Sequence, residues 1–529
     1  MEDNNKVIYR VYKGLTPIKK IMHGLTVVYE WIDGYIKTKT GIPPIKIDDG
    51  NGQNLVNYKV YGETVQEDGT PTPESPIEVK GVGNKTNNLI NWDYLLNSGN
   101  GITKVENGYY SNSYYHNFFT STDAEFIRHI KSVLKPGVTY TWSRVWSGVG
   151  TSGTIGNIIF RKAGATAVVS TGYGNGLKSK TFSLTQEEID SIDGVYIYFS
   201  ANGEGTITEI QLTESEEVLP YEPYGYKIPI EVSGKNLVDM SKVSRGYLNQ
   251  SGEVLNSGGF QTSDFIDVSN ISNISISSAK SYAFYDEEKV FISSEIKSMT
   301  IFRSYTIPEN AKYIRFDWQT ESVNGSIVYA VAGSYTEDTF PPYEPYKEPI
   351  KTDIYLDEPL YKIGSYADYI DKNNKEVVRK NKKTTLRVVN DPEKIKLYSD
   401  AFDNVRVYMF PNALPDDDRA NPYNTPNKCN KFAFKNGGGV ASYAEADGEW
   451  LALRSGTIYI AVKTENLSED TIAAAVNYIN GLNAEIVYQL AEEVSEDVAL
   501  PTIKTNIGVN IISVGTEIVP SNMEIQYYK

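Results

Sequence analysis

The sequence predicts a mainly β, multi-domain protein with two β-sandwiches in tandem and a C-terminal β-rich module carrying one helix. Three observations lead there: a composition suited to strands and turns, short strand-like runs at turn-limited spacing, and a pair of phrases that open and close two successive blocks. The 529 residues include 40 Tyr and 42 Gly. Tyr, Thr, Ile and Val fit a pleated, half-buried surface, while Gly and Asn fit the tight turns between strands. A single hydrophobic core stops growing near about 250–300 residues, so this length requires several modules.

The phrases define the blocks. Ile77-Glu78-Val79 leads through Gly83-Asn84-Lys85 to Asn88-Leu89-Ile90, and Ile230-Glu231-Val232 leads through Gly234-Lys235 to Asn236-Leu237-Val238. Tyr221-Glu222-Pro223-Tyr224 and Tyr343-Glu344-Pro345-Tyr346 close them. Repeated punctuation around dissimilar interiors is a modular signature. Strand-like runs such as Val138–Trp142, Val195–Phe199, Thr206–Leu212, Ile274–Ile276 and Tyr313–Trp318 fill the interiors, enough per block for a two-sheet sandwich. Pro ends a ladder because it has no N–H to donate, so each closing phrase reads as a structural terminator, with sugar stacking by its tyrosines the weaker alternative.

The resulting organisation is an N-terminal β arm over 1–50, either for docking to another chain or, equally, a small meander packed within the same chain, then a turn-rich linker over 51–76, a first sandwich over 77–228 and a second over 229–348. A connector over 349–385 and a β-rich module over 386–529 follow. Thr185–Asp190 reads as one capped helical turn, and a helix is expected from Ser468 to about Ile479.

Charge and residue counts exclude several functions. The formal net charge of −16 opposes nucleic-acid binding, which requires a basic surface to displace counterions. One cysteine, Cys429, and three histidines leave no disulfide framework and no local zinc pattern, so neither metal nor cofactor is expected. Residues 1–5 are acidic and polar, and no 18-residue apolar stretch occurs, so the sequence predicts neither a signal peptide nor membrane insertion. Neither a P-loop nor a Gly-x-Ser-x-Gly elbow is present, and no histidine follows His129 to partner Cys429. Asp286-Glu287-Glu288 and Asp416-Asp417-Asp418 read as solvated loops rather than a catalytic pair. The chain is therefore expected not to be an enzyme.

Saccharide binding requires an aromatic platform ringed by polar groups. Tyr114, Tyr115, His116 and Trp146 in the first block and Tyr285 in the second are the candidate ligand-binding residues; Trp142 and Trp318 alternate as core residues do.

Four phrases carry a resemblance: residues 58–89 around Gly69-Thr70-Pro71-Thr72-Pro73-Glu74, the Leu219–Leu237 junction, Asp353–Asp371, and Glu485–Tyr528. They resemble phage and prophage virion proteins, namely tail, baseplate or receptor-binding components of phages of low-GC Gram-positive bacteria. In such proteins the blocks ending in Tyr-Glu-Pro-Tyr are similar to carbohydrate-binding-module jelly rolls. The resemblance implies a virion location, other virion proteins as partners, a homo-oligomer with a trimer among the options, and host-surface glycans as ligands. A head fibre or capsid decoration protein with passive sandwiches fits the same phrases, and a virion-associated glycan depolymerase is the enzymatic alternative.

Overall fold

The structure, a computed structural model, describes residues 57–91, 102–105, 108–111, 116–119, 124–148, 155–162, 166–170, 179–199, 205–269, 271–320, 328–388, 391, 393–402, 404–411, 427–434, 448–454, 457–504, 508–514 and 523–526. It also describes the backbone of short strands at 12–13, 16–17, 20–23, 26–32, 35–37, 45–47 and 54–55. The chain divides into two compact units, one of residues 83–227 with 355–359 and the other of the remainder.

The smaller unit is a jelly roll. Its strands are β1 (Ile102–Val105), β2 (Gly108–Ser111), β3 (His116–Phe119), β4 (Thr139–Gly148), β5 (Ile155–Lys162), β6 (Thr166–Ser170), β7 (Ser179–Ser183), β8 (Gly194–Phe199) and β9 (Gly205–Thr213). One antiparallel sheet has the order β1-β2-β9-β4-β7 and the other β3-β8-β5-β6, so the chain crosses repeatedly between sheets. Tyr140, Trp142, Phe160, Val195, Ile207 and Leu212 fill the space between them. Helix α1 (Ala124–Val133) adds Phe126 and Ile130, with Leu134 one turn beyond. That i, i+4, i+8 spacing is a helical stripe, absent from the strand-based expectation for this block. Helix α2 (Gln186–Ser191) follows the expected cap: the Thr185 side chain accepts from the Glu188 N–H while Glu188 accepts from the Thr185 N–H.

In the larger unit the second block repeats this order with fused strands. They are β10 (Phe260–Thr262), β11 (Ile266–Asp267), β12 (Asn273–Tyr285), β13 (Phe291–Thr306), β14 (Tyr313–Gln319) and β15 (Ala330–Ala332). The first part of β12, Ile274–Ile276, lies between β15 and the end of β13. Its second part, Ser281–Tyr285, lies between β14 and the start of β13. In the first jelly roll β4 lies between β9 and β7, and β5 between β8 and β6. One long strand, β12, thus replaces β4 and β5, and β13 replaces β6 and β7. Register shifts between Ile276 and Ser281 supply the bend that carries β12 from one side to the other.

The repeated phrases meet in space. Leu89 N–H donates to Leu212 O and Leu237 N–H donates to Ala330 O, each 2.9 Å, pinning each opening phrase to its last strand. The asparagine before each leucine is buried at 2% exposure. Asn88 Oδ1 accepts from the N–H groups of Ile90 (3.4 Å) and Leu212 (3.3 Å). Asn236 Oδ1 accepts from Val238 N–H (2.9 Å) and its Nδ2 donates to Glu344 O (3.1 Å). The closing-phrase glutamates complete a clasp: Glu222 accepts from Asn87 N–H (2.8 Å) and Lys227 Nζ, and Glu344 pairs with Lys235 Nζ at 2.9 Å. Gly225, just after the first closing phrase, has φ of 120°, and Leu356 O occupies the place a Cβ would take, so only glycine fits. Asn236→Ala removes the acceptor from the buried Val238 N–H and one donor from the Glu344 carbonyl, and is expected to cost about 1–3 kcal/mol in chemical denaturation. Asn88→Ala, whose bonds are longer, should cost less.

The rest of the larger unit is built on a nine-stranded antiparallel sheet. Its order is Lys20–His23, Thr26–Ile32, Tyr35–Lys37, Met523–Gln526, Asn57–Tyr61, Tyr369–Asp371, Glu376–Thr385, Glu485–Asp497 and Asn427–Cys429. Residues 349–385 are therefore not a connector in the structure, because two of the central strands come from them. The lysine-rich run belongs to a strand whose cations meet carboxylates on its neighbour, Lys380 with Glu493 at 3.3 Å and Lys383 with Glu485 at 2.9 Å. The strands at 20–37 pair with one another and with Met523–Gln526, the in-chain alternative to a free docking arm. A second sheet contributes Tyr408, Phe410, Leu451 and Ile460 to a core shared with Ile486 and Tyr488. Helix α3 (Ile472–Leu482) inserts Ala475, Val476 and Ile479 into that core. It starts later than the expected Ser468, because Thr471 is the residue whose side chain accepts from Ala474 N–H.

Candidate functional site

The sequence-derived candidates fall unevenly on this frame. Tyr114 and Tyr115 lie outside the described residues. His116 sits in β3 opposite Phe199, and Trp146 in β4 opposite Ile207; their side chains lie outside the described set. Tyr285 requires a correction. It is 4% exposed, packs edge-on against Phe265 at 4.9 Å and donates its hydroxyl to Gly252 O. A ring held this way has no face to offer a ligand. The cause lies in the 247–255 segment, whose Leu248 and Gly252 cover the second half of β12.

The open concavity lies elsewhere in the second jelly roll. A cavity of about 330 Å³ is bounded by the opening phrase, the 263–271 segment and the end of the closing phrase. Tyr346, the last residue of Tyr-Glu-Pro-Tyr, lines it half-buried and hydrogen-bonds Glu348 Oε2 at 3.3 Å. Burial, with the charges of Glu348, Asp239 and Glu231, pushes its phenol up to about 12, so the hydroxyl stays protonated. Several charged groups around the cavity are already engaged. Asp239 accepts from Ser241 N–H and lies 3.4 Å from Lys242; Glu231 lies 3.5 Å from Lys351; Asp267 accepts from Ser269 N–H. Asp264 and Lys347 also line it, and Asp264 interacts electrostatically with the Arg315 guanidinium.

The matching place in the first jelly roll is filled. His129 of α1 packs edge-on against Tyr224, the counterpart of Tyr346, at 5.6 Å. Its Nε2 lies 3.0 Å from Leu89 O, and since a carbonyl only accepts, that nitrogen carries the proton. Burial lowers the His129 pKa below the ordinary value of 6.5. The unfolded chain therefore takes up this proton at higher pH than the folded one, and stability falls as pH drops through about 6.5. Thermal unfolding of the full chain should lose stability between pH 7.5 and 5.5, with less loss in a His129→Gln variant.

No family model matches the chain. Nor does any curated protein sequence. Among solved structures, the N-terminal CBM22-1–CBM22-2 tandem domain from Paenibacillus barcinonensis Xyn10C is 12% identical, with 60% of this chain and 99% of that chain covered. The TM-score is 0.12, below the level at which two folds correspond.

Groups with chemical potential elsewhere are occupied structurally. Cys429 is 1% exposed and burial pushes its thiol up, away from the thiolate that nucleophilic attack requires. Asp286 accepts from Val290 N–H in the hairpin turn between β12 and β13, and Glu287 pairs with Lys312 at 2.7 Å. Asp416–Asp418 lie outside the described residues. Glu449 accepts from Lys463 N–H, Asn466 Nδ2 and the Tyr478 hydroxyl, which fixes α3 to its sheet. Among the described residues no three His, Cys, Asp or Glu side chains converge as metal ligands. The cavity is not legible in the sequence because its wall is the closing phrase itself, whose tyrosines read there first as a terminator and, as the weaker option, as sugar-stacking rings.

Proposed function

We propose that the chain is a non-catalytic virion structural protein of the tail, baseplate or fibre of a phage of Gram-positive bacteria, with jelly rolls that bind host-surface glycans. The four phrases that resemble phage virion proteins support the virion reading. The observation that carries the binding reading is the cleft beside the second closing phrase, where an aromatic ring and polar groups meet in a volume of small-ligand size. Attachment to other virion proteins would use the N-terminal strands, of which Lys20–His23 stands at the end of the nine-stranded order. The filled counterpart in the first jelly roll favours a spacer role for that module.

The test has two arms. Antibodies against the chain should label tails or baseplates of particles that contain it; label confined to heads would support a head fibre instead. The purified chain should bind Gram-positive cell-wall glycans and release no reducing ends. Release of reducing ends would replace the reading with a depolymerase.

A further inference from the structure

The two jelly rolls share a strand order and a clasp, and they differ beside the closing phrase. In the first, Tyr224 and the Leu89 carbonyl are covered by His129 of α1. In the second, Tyr346 and Leu237 face a cavity of about 330 Å³, and no helix among the described residues stands between β11 and β12 as α1 stands between β3 and β4. A place that one copy fills with its own side chain, and the other leaves open with polar groups around it, is built for an occupant.

The lining selects the occupant by charge and shape. Four carboxylates (Glu231, Asp239, Asp264, Asp267) and three ammonium groups (Lys242, Lys347, Lys351) surround the space. Asp239 and Glu231 each have a lysine within 3.5 Å. That leaves Asp264 and Asp267 against Lys347 and the neighbouring Arg315, whose guanidinium interacts with Asp264, a near-neutral balance that favours an uncharged ligand over a polyanion. Carboxylates accept from hydroxyl or amine protons, an ammonium donates to hydroxyl oxygens, and the flat face of Tyr346 packs against aliphatic C–H groups. A sugar ring presents all three. The volume is near the lower end for small-ligand sites, about 300–1,000 Å³, which fits one or two ring units rather than a long chain.

We propose that the cleft bounded by Asp239, Asp264 and Tyr346–Lys347 is a saccharide site that takes one or two uncharged or amino-substituted sugar units, and that His129 of α1 closes the corresponding place beside Tyr224 in the first jelly roll. The inference rests on the glycan-binding reading and assigns it to one module. Tyr346 is the stacking face, Asp264 and Lys347 are the polar anchors, and Asp239 is a positioning residue held by Ser241 and Lys242.

The experiment titrates the full-length chain with chito-oligosaccharides, gluco-oligosaccharides and glucosamine, and with heparin as the polyanion, by calorimetry. Binding of at least one uncharged or amino sugar is expected, with affinity reduced tenfold or more in Tyr346→Ala. Asp264→Ala should reduce it by about fivefold. Asp264 is exposed, so this variant keeps the fold and still reports on the site if Tyr346→Ala unfolds. His129→Ala is expected to leave affinity unchanged. Sugar binding of equal strength in wild type, Asp264→Ala and a folded Tyr346→Ala overturns the site while the glycan-binding reading stands. Binding of heparin alone overturns the ligand class, and no binding by any sugar overturns both this inference and that reading.

Discussion

Asp368→Ala is expected to destabilise the larger unit by about 3–5 kcal/mol, read as a shift of the denaturation midpoint. The carboxylate is fully buried and accepts from backbone N–H groups on two segments. Oδ2 takes Tyr361 N–H at 2.8 Å, while Oδ1 takes Lys380 N–H at 2.7 Å, Asn381 N–H at 2.9 Å and Asn381 Nδ2 at 3.0 Å. The strand Glu376–Thr385 shifts register against Glu485–Asp497 between Arg379 and Asn381. A bulge turns N–H groups away from the neighbouring strand, and Asp368 is the acceptor that meets them here. Arg379 Nη1 lies 3.9 Å from Oδ2. Alanine removes the acceptor from two buried N–H groups and one part-buried N–H group at once. Asparagine keeps one carbonyl oxygen but turns an amide N–H2 toward the donors, so its cost should fall between wild type and alanine. Equal stability of Asp368→Ala and wild type would show that the bulge is held by packing alone.

The legibility of this fold in the sequence follows the range of the forces involved. Strands with local alternation, such as Tyr313–Gln319 and Gly205–Thr213, are readable because their own side chains report which face is buried. The Thr185–Glu188 cap is readable because both partners lie within one turn. Helix α1 carried a readable signal in Phe126, Ile130 and Leu134, but the surrounding strand pattern masked it. The sheet role of residues 369–385 was not readable. Its stabilising partners, Asn57–Tyr61 and Glu485–Asp497, are 100 residues or more away along the chain on either side, and its lysines look like a solvated linker until the facing carboxylates are known. The same distance hid the clasp. Asn236 and Glu344 could be recognised as repeated letters, but their hydrogen bond spans 108 residues. Tyr285 was misjudged for a related reason: an aromatic residue at a strand end has the same composition signature whether or not another segment covers it.

Trp318→Ala has the second large expected effect and separates core aromatics from ligand aromatics. Trp318 is 2% exposed in the core of the second jelly roll, with its ring 5.6 Å from that of Phe316. Truncating a buried indole costs about 3–5 kcal/mol, from lost transfer energy plus the cavity left behind. β14 lies against β12, β10 and β11, so the loss falls on the module's central strand. Saccharide binding by Trp318→Ala should weaken only in proportion to the fraction unfolded, and recover when the temperature is lowered to refold the module. Tyr346→Ala should behave in the opposite way. Its ring lies at the cavity wall, half-buried, so stability should change by about 1 kcal/mol or less while affinity falls at every temperature at which the module is folded. A ligand-contacting tryptophan would instead lose affinity with little change in the unfolding midpoint. The pair of measurements therefore assigns each ring to packing or to recognition without reference to its sequence context.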